Sequence, residues 1–153
     1  MRSVAPAGRC EMRPKTDTPR WIATVLSLPW LLPISRAALV SAFLIGGIQK
    51  LIDFPAAVAE QAHFGLQPAW LWAAAAIVVE LGGSALVIVG RWVWLGAGAL
   101  GVLTGVAMLT ANDFWAKIGH DRFMATNAFF EHLGLVVGLV LISLLSLREQ
   151  NAL

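Results

Sequence analysis

A lone carboxylate, Glu80, interrupts the apolar run from Ala69 to Val89, and a lone ammonium, Lys50, sits near the end of an earlier run, Ile34–Ile52. A charge inside such a run is costly to bury, so each group needs a partner, a proton or a ligand. Two chemistries suit the pair. A carboxyl and an amine on neighbouring helices can clasp those helices together. The same two groups can instead form a proton or ligand site. The residues alone leave both readings open.

Depth arithmetic gathers further polar groups around them. Glu80 lies ~16 Å from the Ala69 end of its run at the helical rise of about 1.5 Å per residue. Lys50 differs from it in height by about 9 Å, a gap that two long side chains roughly bridge. Gln49, Thr110, Asn112, Asp113, Glu131 and His132 fall at heights similar to that of Lys50. They are either ordinary solvated helix ends or the rim of a polar pocket closed below by Glu80. The candidate intramembrane site is therefore Gln49, Lys50, Glu80, Asn112, Glu131 and His132. Arg36 stands at the opposite end of its run, and its guanidinium is expected to snorkel to the headgroups.

Other chemistries lack their residues. Cys10 is the single cysteine, so no intrachain disulfide or C-x-x-C redox pair can form. Of His63, His120 and His132, only His132 approaches an apolar run. A bis-histidine haem needs two at matching depth, and no ligand spacing predicts a metal site. No phosphate loop, dinucleotide fingerprint or Ser-His-Asp set is visible. The chain carries no self-sufficient catalytic or cofactor motif, so any enzymatic role is that of a subunit.

The elements that position these groups follow from composition. Of the 153 residues, 58% are hydrophobic and 13% charged, against about a quarter charged in soluble domains. A chain this short cannot hide that much apolar surface in a water-soluble fold. An ordinary soluble enzyme, a disordered tail and a disulfide scaffold are excluded. The expected class is all-α, an integral membrane four-helix bundle in the lipid bilayer. Its spans lie at about Ile34–Ile52, Ala69–Val89, Trp92–Ala111 and Ala128–Leu147. Each is close to the ~20 residues that cross ~30 Å of hydrocarbon. Lipid cannot satisfy open backbone groups, so the spans must be helices, and the alternation of a barrel strand is absent.

Residues 1–20 form a polar, basic tail. Trp21–Pro33 is apolar but only ~13 residues long, too short to span, and Pro29 and Pro33 break it. It reads as an interfacial or pre-helix segment, with a signal-like core as the alternative. Asp53–Pro55 and Gly65–Pro68 bracket a first outer loop, Gly90–Arg91 makes a hairpin, and Asn112–Asn127 forms a second outer loop. Arg2, Arg9, Arg13, Lys15, Arg20, Arg91 and Arg148 gather on one side and Lys117 and Arg122 on the other. The positive-inside rule makes this N-in/C-in, with residues 148–153 as a cytoplasmic end. The basic tail is then a membrane-flanking segment, and no nucleic acid partner is expected. Trp70, Trp72, Trp92, Trp94 and Trp115 cluster at span ends, as interfacial belts do. Gly46-Gly47, Gly82-Gly83, Gly101-x-x-x-Gly105 and Gly134-x-x-x-Gly138 offer close backbone approach between helices, within the chain or towards a second copy.

The ordered set of motifs resembles the DoxX family of small four-helix bacterial membrane proteins. Arg36, then Phe43-Leu44-x-x-Gly47-x-x-Lys50-Leu51, is similar to the family's opening helix. Glu80-x-Gly82-Gly83-x-x-Leu86 before Gly90 resembles its second, and Phe129-Phe130 leading to Gly134 and Gly138 its last. The resemblance covers about residues 34–147. It marks Arg36, Gly47, Lys50, Glu80, Gly82 and Gly83 as family positions and implies the bacterial inner membrane. Family namesakes are small subunits linked to a thiosulfate:quinone oxidoreductase, and other members associate with redox or stress complexes. The resemblance thus implies an accessory subunit of a membrane oxidoreductase system, with a redox partner subunit or a second copy as partner. It carries no cofactor residue, and quinone is the one cofactor it points towards. The alternatives are a self-contained binder or carrier using a Lys50/Glu80 pocket, and a purely structural bundle.

Overall fold

The computed structural model describes residues 18–111 and 113–151. Most of the basic tail, Cys10 and Asn112 lie outside the described residues. Helix α1 spans Arg20–Leu26, α2 Leu31–Ile52, α3 Phe54–His63, α4 Ala69–Val89, α5 Val93–Thr110 and α6 Gly119–Asn151. A single 3-10 turn, Phe114–Ala116, precedes α6. There is no strand among the described residues. The helices α2, α4, α5 and α6 are long and apolar enough to cross a membrane.

The four run alternately up and down. α2 packs on α4, α4 on α5 and α5 on α6. All four contribute to one core, formed by Val40 of α2, Val87 of α4, Val93, Ala97 and Leu100 of α5, and Leu139 and Ile142 of α6. This core sits towards the end of the molecule that carries Arg36. Leu100 and Val40 are fully buried there, while the large apolar side chains pointing outward, such as Ile45, Val78, Leu109 and Val140, are exposed. That inside-out distribution suits a protein whose outer solvent is hydrocarbon.

Several elements differ from their sequence-based bounds. The segment expected at Trp21–Pro33 holds most of helix α1, and α2 begins at Leu31 rather than Ile34, with Pro33 in its first turn where a missing N–H is tolerated. The segment bracketed by Asp53–Pro55 and Gly65–Pro68 is helical, as α3. Asp53 caps it, accepting a hydrogen bond from the Ala56 amide at 3.0 Å. Pro55 falls in its first turn, where the missing N–H costs nothing. At about 15 Å, α3 cannot span; it lies against α4 at the Lys50 end. α6 begins at Gly119 rather than near Ala128, and its 33 residues extend ~50 Å, well beyond the ~30 Å of hydrocarbon. Phe114, Trp115 and Phe129 make edge-to-face contacts that hold the 3-10 turn against α6.

Of the four glycines in the G-x-x-x-G pairs only Gly138 makes a close helix contact among the described residues, and the tightest helix contact uses glycines outside those pairs. At the α4–α5 crossing a side chain on Gly96 would place its Cβ 2.6 Å from the Gly83 carbonyl oxygen, so the two backbones touch. Gly47 lies under Leu81 and Glu80, and Gly138 under Leu39. Gly82, Gly101, Gly105 and Gly134 have open space where a Cβ would stand. The α4–α5 turn needs Gly90, whose φ of 77° is left-handed and whose Cβ would stand 2.5 Å from Arg36 Nη1.

Candidate functional site

Lys50 and Glu80 meet. Lys50 Nζ donates to Glu80 Oε1 at 2.8 Å and ties α2 to α4. Glu80 is 7% exposed, and its second oxygen, Oε2, is buried without a hydrogen-bond partner. Gly47 makes room for the Glu80 stem: a Cβ there would lie 3.1 Å from that of Glu80. Gly46, one turn before Lys50 and so on the same helix face, borders the ion pair. Its Cβ would stand 3.6 Å from both Oε2 and Nζ.

The pair forms part of the wall of a cavity of about 640 Å³ between α3, α4 and α5. That is a size common for small-molecule sites. Trp72, Ala76 and Val79 of α4 and Leu95, Val102 and Leu103 of α5 give it an apolar lining. Its charged lining residues are Lys50, Glu80 and Glu60, the last from α3. A second cleft, about 330 Å³, separates α2 from α3 and is lined by Gly46, Gln49, Lys50, Asp53 and Glu60 among others. Lys50 and Glu60 therefore border both spaces.

The remaining candidates are dispersed. Gln49 is exposed and faces only the second cleft. Glu131 is exposed, His132 has Nδ1 2.6 Å from the Ala128 carbonyl oxygen of its own helix, and neither lines the cavity. Asn112 lies outside the described residues. Thr110 lines the cavity, with its hydroxyl donating to the Val106 carbonyl at 2.9 Å. Among the described residues no three metal-ligating side chains gather.

Arg36 does not snorkel. It is buried, and its Nη2 donates to Ser146 Oγ and Glu149 Oε2, each at 2.9 Å. The physical reason is that α6 continues past the expected end of its span. Buried Ser146 and exposed Glu149, three residues apart on one helix face, then offer the guanidinium partners from the protein itself. The contribution to the cavity of α3, Glu60 and Gln61, and of the turn after it, Phe64 and Leu66, was missed from sequence. The signal was present in the Asp53 cap followed by Pro55 and a run of Ala, Val, Glu and Gln, which are turn-starting and mostly helix-forming residues.

Four membrane-length helices, with an ion pair buried between two of them beside an apolar cavity, define a small multi-pass helical membrane protein. The DoxX family model matches residues 31–113, more than half of the chain, and the chain belongs to the DoxX family. The match covers α2 to α5 and takes in Arg36, Gly47, Lys50, Glu80, Gly82 and Gly83. The likeness of Phe129, Phe130, Gly134 and Gly138 to the family's last helix falls outside the matched residues. No curated protein and no solved structure matches the chain.

Proposed function

We propose that this DoxX-family protein is an accessory subunit of an oxidoreductase system in the bacterial inner membrane, holding a quinone-type molecule in the cavity between α3, α4 and α5. Both chain ends face the cytoplasm in this reading, supported by the placement of the basic residues under the positive-inside rule. The observation that carries the proposal is the apolar cavity with a self-neutralised ion pair in its wall. Such a site suits a membrane-dissolved molecule with an apolar body and a small polar head. A bound quinone supplies two-electron, two-proton chemistry. The chain's own part is to shelter the apolar body between α4 and α5 and to orient the head. Lys50 offers a donor for that purpose and Glu80 an acceptor.

A second reading has its own observation. The 2.8 Å contact satisfies Lys50 and one Glu80 oxygen without any ligand, as a purely structural clasp requires. Gly98 separates the two readings. It lines the cavity, and a Cβ there meets nothing within 4 Å, so Gly98→Leu fills the cavity without disturbing a helix contact. Trp72 and Trp94 line the same cavity, so their fluorescence reports occupancy. Titration with a short-chain quinone is expected to quench the wild type saturably. Gly98→Leu should bind about tenfold or more weakly, a loss of ~1.4 kcal/mol or more, with its thermal midpoint unchanged. Equal binding by both proteins rejects the cavity as the site.

A further inference from the structure

One charged side chain at the cavity has no ionic partner among the described residues. Glu60 lines both the cavity and the cleft beside it. It is exposed and joins no ion pair among the described residues. Lys50 is already engaged with Glu80 at 2.8 Å, and α5 places no charged residue in the lining. The charges facing the cavity are thus one ammonium from α2, one carboxylate from α4 that cancels it, and one carboxylate from α3 left over. Low-dielectric walls focus the field of that surplus negative charge. An anionic head group entering there finds no free cation and two carboxylates. An uncharged or cationic head group meets no such repulsion.

We propose that Glu60 sets the head-group selectivity of the cavity: amphiphiles with an uncharged or cationic head are admitted, and those with a phosphate or carboxylate head are turned away. The inference rests on the reading that the cavity binds a membrane-dissolved molecule, and it adds the class of that molecule and the residue that enforces it. Discrimination by built-in repulsion is as effective as discrimination by attraction. Here it answers a physical need, because acidic lipids share the membrane with any scarcer occupant and carry equally apolar chains.

The test uses the full chain in a neutral detergent and three brominated alkyl probes of one chain length, bearing a trimethylammonium, an alcohol or a carboxylate. Bromine quenches tryptophan, and quenching retained in Gly98→Leu serves as the site-independent blank. The ammonium and the alcohol are expected to bind about tenfold or more tightly than the carboxylate. Glu60→Gln should narrow that gap to less than about threefold, and Glu60→Lys should invert the order. Raising the salt concentration should shrink the wild-type gap, since an exposed charge is screened within about 10 Å at 0.1 M. A purely structural Glu60 would show neither the inversion nor the salt effect. The proposal is overturned if the carboxylate binds as well as the other two, or if Glu60→Lys leaves the order unchanged. If no probe quenches beyond the blank, the cavity reading itself falls, and this selectivity with it.

Discussion

Replacing Lys50 with methionine is expected to destabilise the protein by about 3–5 kcal/mol, the usual result of removing one partner from a buried ion pair. Glu80 would keep its place between α2 and α4 but lose the donor at 2.8 Å. Its other oxygen already lacks a partner, so the whole carboxyl would be left unpaired in apolar surroundings. The double variant Lys50→Met/Glu80→Leu should recover most of the loss and fall within about 1 kcal/mol of wild type, because replacing a whole buried pair with apolar side chains is often close to neutral. Unfolding in detergent, followed by helical signal for the wild type, both single variants and the double, gives the coupling directly. Additive losses in that cycle would mean that the two side chains do not act as a pair.

Gly96→Ala should be the most damaging single-methyl addition. The new Cβ would stand 2.6 Å from the Gly83 carbonyl oxygen and 2.9 Å from the Leu86 Cβ. Neither is the end of a flexible side chain, so α4 and α5 must move apart. Overpacking of this kind costs about 1–3 kcal/mol, and here the upper part of that range is expected. The matched control is Gly101→Ala on the same helix, where a Cβ meets nothing within 4 Å. Alanine is the better helix former by roughly 0.5–1 kcal/mol, so this control should be neutral or slightly stabilising. Thermal midpoints of the two variants compare them, and equal shifts would contradict backbone contact between α4 and α5 at Gly83 and Gly96.

Much of the scaffold was legible because helical rise is fixed. Apolar runs of membrane length mark α2, α4 and α5, and counting along them brought Lys50 and Glu80 within reach of each other. Height, however, is only one coordinate. Glu131 and His132 share the level of Lys50 but sit on α6, which packs chiefly on α5. Counting gives no direction around the axis, so it could not separate them from the pair. The helix α3 was obscured because Pro55 reads as a breaker, although after an Asp cap it starts a helix instead. Arg36 was sent to the headgroups because Glu149 lies beyond the last apolar residue of its span, where hydropathy no longer marks helix. The G-x-x-x-G spacing places two glycines on one face without saying what covers that face. Gly101 and Gly105 therefore signalled a contact that the described residues do not make, while Gly96, outside any such pair, makes the closest contact between helix backbones. Glu60 depended on α3 and so could not be seen at all.

The most direct test is native mass spectrometry of the protein released in mild detergent from the membranes of its own host, wild type beside Gly98→Leu. The account predicts a one-to-one adduct on the wild type with the mass of a prenylated quinone, and its loss from the variant at unchanged yield of folded chain. Bare chain alone in both, or acidic phospholipid bound equally to both, would contradict it.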